Sequence, residues 1–458
     1  MNAWFPRITA HSLIVVLSLL TYVLTTRVER ERRPPSIAIA WVLGLIALPY
    51  ATLPMYLMFG RRKLLRKISP WCGIPAGAKH WAEHLLESFG LPASAPARVR
   101  MHRDGAEART ALFETLDSAQ RRLDICTYIL GNDAFGEETS ARMMACAQRG
   151  VRVRLLLDGV YAIQLPRSWF HRMHMGGVET AIFSPLLARK TQGPRNLRNH
   201  RKWVVADGAL LWTGGRNFAA EYFGGSAGKP PWLDLSFDLA GPVAAATANQ
   251  FEVDWAAAGG KPAARISVPD CDFAALGDYT GGRSQFVPSG PDQTEDTVHA
   301  LLIDACFHAT ERMLAVTPYF VPDVSLETAM RLAARRGVKI DLVIPAKSNH
   351  RLADFARSRA LRSLSNAGVS IHLLPVMNHA KAVVFDRSLA LCGSPNLDSR
   401  SLLLNYESAV VFYAAPEIDW LANWIEALIP SSAHFDSHAP GLFRDLCEGL
   451  LLAMAYQL

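Results

Sequence analysis

One pattern occurs twice in this chain of 458 residues, and no other feature limits the fold as much. Asn199 to Gly208 reads NHRKWVVADG and Asn378 to Asp386 reads NHAKAVVFD, with histidine, lysine and aspartate at identical spacing. The match runs on. His200, Lys202, Asp207, Gly214, Gly215 and Asn217 answer His379, Lys381, Asp386, Gly393, Ser394 and Asn396, with 17 steps from histidine to asparagine in both. Around this pattern RGVRVRLLLDG (Arg149 to Gly159) answers RGVKIDLVIPA (Arg336 to Ala346), GGVETAIFSP answers AGVSIHLLPV, and ICTYIL answers AVTPYFVP. A repeat of this length implies two related units, and missing it would misread the architecture. Helical stretches such as RMMACAQRG and LETAMRLAARRG precede strand-like VRVRLLL and VKIDLVI. Each half therefore reads as an α/β unit in which parallel strands are joined by helices.

Ahead of the duplication lie two apolar stretches, Ile8 to Thr26 and Ile37 to Phe59. Each reaches the roughly 20 residues that a membrane-crossing helix needs, with kinks expected at Pro49 and Pro54. No small-residue cleavage site follows the first, and ERERRPP leads straight into the second, so a signal peptide is disfavoured. The expected division is a membrane anchor over residues 1–70, a first half over 71–260 and a second over 261–458. AAAGGKPAA (Ala256 to Ala264) reads as the linker between halves. The step from Gly177 to His200 is 23 residues against 11 from Gly368 to His379, so the first half carries an insert ending in RNLRN.

The formal charge of +7 sits in the anchor: ten Lys and Arg face Glu29 and Glu31 within residues 1–70, which leaves about −1 for the rest. Six of those cations flank the two spans on one side and four lie in the turn, a bias that places the body in the cytoplasm, with Arg61, Arg62, Lys63 and Trp71 at the membrane interface. The seven cysteines show no CxxC, and His171 with His174, and Asp304 with Cys306 and His308, lack a second half at ligand spacing, so no metal or other cofactor is expected.

Alternation puts His200 and Lys202 on one face, and His379 and Lys381 likewise. Two histidines meeting across a pseudo-twofold interface supply a nucleophile and a general acid, which is what double displacement at phosphorus requires. Lys202, Lys381, Asn217 and Asn396 would set charge and amide donors against the phosphoryl oxygens, beside Ser394. Asp234 in WLD and Glu407 in NYE occupy matching places and can each accept a proton from a histidine nitrogen, fixing its tautomer. Two readings stand for Asp207 and Asp386: turn-stabilising residues at a strand end, or members of the catalytic set, with which they are grouped.

HxKxxxxD followed by Gly-Gly or Gly-Ser and Asn, twice in one chain, resembles the phospholipase D superfamily. Two N-terminal spans with GSPNLDSRS, TPYFVPD and WLDLSFDLAGP resemble, within it, the bacterial cardiolipin synthases. The resemblance covers nearly the whole chain. It implies two tandem phospholipase D-like halves and a multi-pass protein of the bacterial inner membrane. It also implies that a phosphatidyl group held on one histidine passes to the hydroxyl of a second phosphatidylglycerol, releasing glycerol and forming cardiolipin. By the same analogy His200 is the nucleophile and His379 the general acid and base. The chain departs from the family at Pro375, Val376, Met377 and Asn378, and in a C-terminal tail without a basic cluster.

Rivals share these residues. A hydrolase would pass the group to water, and a related synthase would use phosphatidylethanolamine as co-substrate. A nuclease is disfavoured because nucleic-acid binding draws on Lys and Arg that the body lacks in net. A non-catalytic scaffold would not need both motifs intact. GGSAG (Gly224 to Gly228) matches a hydrolase elbow, yet no strand pattern leads into it, so it reads as a loop.

Overall fold

The computed structural model describes residues 5–29, 35–60, 80–185, 196–225, 230–264 and 280–441, with 444 and 448. Arg61, Arg62, Lys63, Trp71, most of the insert and nearly all of the C-terminal tail lie outside them.

Three helices come first: α1 (Phe5–Glu29), α2 (Pro35–Ala47) and α3 (Pro49–Phe59). The second apolar stretch is thus two helices where a single kinked one was expected. The backbone leaves the helical region at Leu48 (φ −139°, ψ 58°), because the ring of the following proline crowds the residue before it. Pro54 sits inside α3 without ending it. Tyr22, Leu45 and Tyr56 form a small core between the three, with Thr25 Oγ1 2.6 Å from the Tyr56 hydroxyl. Among the described residues no helix is long and apolar enough to cross a membrane.

The body carries β1 (Ala95–His102), β2 (Arg122–Thr127), β3 (Arg152–Asp158), β4 (Val178–Phe183), β5 (Trp203–Ala206), β6 (Leu210–Gly214) and β7 (Ser236–Ala240) in its first half. The second half has β8 (Thr280–Ser289), β9 (Arg312–Val316), β10 (Phe320–Val321), β11 (Lys339–Pro345), β12 (Ser370–Leu374), β13 (Ala382–Phe385), β14 (Leu389–Gly393), β15 (Leu397–Asp398), β16 (Glu407–Phe412) and β17 (Ala433–His434). The order β4-β3-β2-β5-β6-β7-β1 is answered by β12-β11-β9-β13-β14-β16-β8, and the two series join where β1 pairs antiparallel with β8. The duplication read from the sequence is therefore a duplication of topology.

Only part of each series is parallel. β2, β3 and β4 run parallel, as do β9, β11 and β12, whereas β5, β6, β7 and β1 and their counterparts are antiparallel. The parallel strands expected in each half are present and are joined by antiparallel ones, for a local reason. After Ala206 the chain turns through Asp207 (φ 54°) and Gly208 (φ 71°), and after Phe385 through Asp386 (φ 50°). Turns this short make a hairpin, since a parallel return needs a crossover of a dozen or more residues.

β2, β3, β9 and β11 are buried nearly throughout because both faces are covered. Outer helices cover one face of each series. On the other, a shared core draws Cys126, Trp203 and Val205 from the first half and Val316, Ala382 and Val384 from the second, with Phe251 and Leu421 from the helices Pro242–Ala257 and Ala415–Glu426. The halves are thus welded by one hydrophobic interior. Helix Pro242–Ala257 runs into the stretch expected as linker, so its first residues are helical and the irregular chain begins beyond them.

Candidate active site

His200 and Lys202 stand in the extended lead-in to β5, and His379 and Lys381 in the lead-in to β13. β5 lies antiparallel to β2 with Trp203 opposite Cys126, and β13 antiparallel to β9 with Ala382 opposite Val316. Both lead-ins therefore emerge at the carboxyl ends of the parallel strands, where open α/β sheets place their ligands.

Each lead-in is then laced to the opposite half. His200 N donates to Tyr406 O at 2.8 Å and Tyr406 N to Arg198 O at 2.8 Å; Leu233 N donates to Met377 O at 3.0 Å and His379 N to Leu233 O at 2.6 Å. This lacing delivers the acids crosswise. His200 Nδ1 lies 3.0 Å from Glu407 Oε1, and His379 Nδ1 lies 2.8 Å from Asp234 Oδ2. Neither half alone holds a complete histidine–carboxylate pair. With Nδ1–H donated to a carboxylate, Nε2 is left with its lone pair for substrate.

The lysines sit beneath their own histidines. Lys202 Nζ donates to His200 O at 2.6 Å; Lys381 Nζ donates to His379 O and lies 3.0 Å from His379 Nε2. All four side chains are withdrawn from water, and burial drives their pKa values down: His200 to about 4, His379 to about 3, Lys202 to about 8 and Lys381 to about 7. Burial works to raise the carboxylates, but His379, Lys381 and Arg216 hold Asp234 below its ordinary range, as His200, Lys202 and Ser394 do for Glu407. Lys381 also acts on His200 and Lys202 on His379, so the two motifs share one electrostatic site.

Asn217 Nδ2 donates to the Tyr222 hydroxyl at 2.8 Å and Asn396 Nδ2 to Ser401 Oγ at 3.1 Å, while both amide oxygens are buried without a partner. The Asn217 amide nitrogen carries a second N–H that this bond leaves over, and Tyr222 itself packs on the His379 ring. Ser394 serves the histidine pair: its hydroxyl donates to Glu407 Oε2 at 2.5 Å. The first half has Gly215 here because Asp234 fills the space. A Cβ on Gly215 would stand 2.2 Å from Asp234 Oδ1.

Asp207 and Asp386 are not brought to the histidines. Asp207 accepts the backbone N–H groups of Gln120, Arg121 and Arg122 at 2.8–2.9 Å, and Asp386 those of Thr310, Glu311 and Arg312 at 2.8–3.0 Å. They lie at the far end of β5 and β13 from the histidines and pin the start of β2 and of β9. Both carboxylates are spent on backbone, which is the arrangement the turn-stabilising reading describes.

Other residues around the site were not singled out from the sequence. Tyr128 meets the His200 ring edge-on at 4.6 Å between centroids; Tyr222 and Trp232 flank His379 at 5.0 and 5.9 Å. Arg201, between the motif's histidine and lysine, points the other way. It is fully buried, reaching Asp254 at 2.5 Å, Asp292 at 2.9 Å and the Glu407 carbonyl at 3.0 Å. Arg216 is equally buried and donates to Tyr222 O at 3.0 Å and Ser236 Oγ at 3.1 Å; its counterpart is Pro395. The alternation that faced His200 and Lys202 inward also predicts an outward Arg201. Gly224 follows a 3₁₀ turn (Ala220–Tyr222) and no strand, which removes the hydrolase elbow.

Comparison with known proteins gives the chain's family and a likeness of fold. The family described as "Cardiolipin synthase, PLD-like domain" matches residues 112–227 and 302–429, and "Phospholipase_D-nuclease N-terminal" matches 13–61. Cardiolipin synthase A of Pseudomonas aeruginosa (strain PAO1 among others) is 31% identical over 424 residues, covering 87% of this chain and 85% of the relative. Cardiolipin synthase A of Pseudomonas syringae pv. syringae is 30% identical over 395 residues, 81% of each. Among solved structures, phosphatidylserine synthase of Haemophilus influenzae superposes with a TM-score of 0.60 at 14% identity, over 83% of this chain and all of that one, a likeness of fold.

Proposed function

The chain belongs to the cardiolipin synthase family of phospholipase D-like proteins, and from that premise we propose how its own residues carry out phosphatidyl transfer. It is a cardiolipin synthase, a phosphatidyltransferase acting on phospholipid. The observation that carries the mechanism is the pair of histidines, each oriented by a carboxylate from the opposite half.

Burial holds both imidazoles neutral near pH 7, which suits a nucleophile but not an acid. A phosphodiester brings a negative charge among Lys202, Lys381 and the histidines, and a nearby anion raises the pKa of each. One histidine can then carry a proton when substrate is bound. Lys381 Nζ lies against the His379 ring, 2.7 Å from Nδ1 and 3.0 Å from Nε2, whereas Lys202 Nζ bonds the His200 carbonyl and the His200 side chain is the more exposed of the two (12% against 4%), which supports His200 as the attacking group.

In the first step His200 Nε2 bonds to phosphorus and the bond from phosphorus to the glycerol headgroup breaks, the leaving oxygen taking a proton from His379 Nε2. In the second, His379 takes the proton from a hydroxyl of another phosphatidylglycerol, whose oxygen attacks phosphorus as the nitrogen–phosphorus bond breaks. Lys202 and Lys381 face the charge that builds on the equatorial oxygens, and the amides of Asn217 and Asn396 add donors. Glu407 and Asp234 stabilise each imidazolium as it forms and hold the ring in place between steps.

The test is product analysis by mass spectrometry after giving the purified protein phosphatidylglycerol alone, then with phosphatidylethanolamine, with and without chelator. Cardiolipin and free glycerol from phosphatidylglycerol alone support this reading. Phosphatidic acid as the main product would mean transfer to water, and cardiolipin only with phosphatidylethanolamine would name another co-substrate. His200→Ala and His379→Ala should each abolish turnover with the fold intact.

A further inference from the structure

The loops crowning the site carry apolar side chains with nothing over them. Of the eight large apolar residues strongly exposed in the described body, Ile163, Leu352 and Val376 follow the carboxyl ends of β3, β11 and β12, and Val324 follows β10, which pairs with β15 in a small separate sheet and is preceded by Tyr319, 6.5 Å from the His379 ring. Those carboxyl ends form the end of the large sheet at which the histidines lie. Val321 of β10 packs with Ala353 and Ala356 of the helix Arg351–Ala356, so Val324 (80% exposed) and Leu352 come to one lip, and Val376 follows β12, the hydrogen-bonded neighbour of β11. Ile163 stands two residues from Tyr161, which packs on the Tyr128 beside His200. The other four exposed residues are scattered singly over four helices, which is ordinary.

Positive charge accompanies the lip. Arg167, Lys347 and Arg351 are exposed beside these residues, and none is within salt-bridge reach of a carboxylate among the described residues. The carboxylates at the lip are turned inward: Asp323 to His299 at 2.8 Å and Asp354 to Arg357 at 3.2 Å. Apolar tips ringed by unopposed cations, directly above a site for phosphodiesters, match one surface chemically. Anionic headgroups meet the cations and the acyl boundary takes the apolar tips.

We propose that this rim docks on an anionic phospholipid bilayer and seats the mouth of the site over the headgroups it uses. The inference rests on the phosphatidyl-transfer reading, and the test separates the two. The full-length protein receives phosphatidylglycerol in bilayer vesicles, or as a short-chain form kept below its critical micelle concentration. Val324→Asp with Leu352→Asp should lower turnover in vesicles by about tenfold or more and leave turnover of the monomeric substrate within about twofold. Lys347→Gln with Arg351→Gln should lower vesicle turnover several-fold at low salt, with the difference shrinking as salt rises. Equal losses on both substrates would mean the residues act on the fold or the chemistry, and no loss on either would mean the rim does not dock; each overturns the proposal. No cardiolipin from the unsubstituted protein on either substrate would instead defeat the transfer reading beneath it.

Discussion

Gly215→Ala is the sharpest test of the crosswise pairing, because it perturbs a histidine by way of a residue that touches neither histidine nor substrate. The new Cβ would lie 2.2 Å from Asp234 Oδ1, 3.0 Å from its Cγ and 3.1 Å from Oδ2. Ordinary contact requires the carboxylate to retreat by about 1 Å. It cannot swing aside, since Oδ1 also accepts Leu235 N–H at 2.7 Å and the side chain is fully enclosed. A displacement of that size disrupts the 2.8 Å contact of Oδ2 with His379 Nδ1. A hydrogen bond to a charged group contributes about 1.5–3 kcal/mol, so kcat should fall by roughly tenfold to a hundredfold, with KM for phosphatidylglycerol little changed. Rates of glycerol release and cardiolipin formation give the effect, and thermal unfolding checks that the protein is folded. Ser394→Ala, the matching site in the second half, opens space, removing the 2.5 Å hydroxyl contact to Glu407 and the acceptor of Ser408 N–H at 2.9 Å while leaving the Glu407–His200 contact in place, so its loss should stay under about tenfold. A Gly215→Ala enzyme with kcat within about twofold of the parent, or one less impaired than Ser394→Ala, would refute the reasoning.

Three further outcomes follow from the same geometry. Asp207→Ala removes the acceptor of three backbone N–H groups at a residue with φ 54°, so the melting temperature should drop while the folded fraction keeps most of its kcat; full stability with lost activity would restore a catalytic role. Arg216→Met should destabilise the protein by about 3 kcal/mol or more in chemical denaturation, because it strips a buried donor from Tyr222 O and Ser236 Oγ and a cation from Asp234. Both histidines are held neutral by burial, with folded pKa values near 4 and 3 against an unfolded value near 6.5. Their contribution is therefore whole above pH 6.5 and is lost as pH falls toward 4. Melting temperature should decline over that window, and less steeply in His200→Gln; equal slopes would contradict the assignment.

Much of this was legible in the residues alone. The doubled HxKxxxxD spacing, the matching Asn217 and Asn396, and the paired Asp234 and Glu407 are local patterns, and symmetric sequence makes symmetric topology because each half solves the same packing problem. The mixed sheet was harder to see. The Asp-Gly after β5 was there to be read, but strand direction depends on which neighbour the strand joins, and apolar runs look alike in either sense. The break at Leu48 could be read from Pro49 as a kink or a stop, and only the backbone beyond it decides.

What the sequence by itself determined is the inventory: two histidines, two lysines, two acids, and the fact that they come as equivalent sets. What the tertiary structure decided is who serves whom. Nothing in NHRK or NYE says whether Glu407 answers His379 in its own half or His200 in the other, since both arrangements have the same local spacing. The choice is made by the lacing of Arg198 and His200 to Tyr406 and of Leu233 to Met377 and His379, contacts between segments some 140 to 210 residues apart. The same long-range closure sends Asp207 and Asp386 to the opposite end of the sheet, because a strand carries its two ends away from each other whatever motif is written along it.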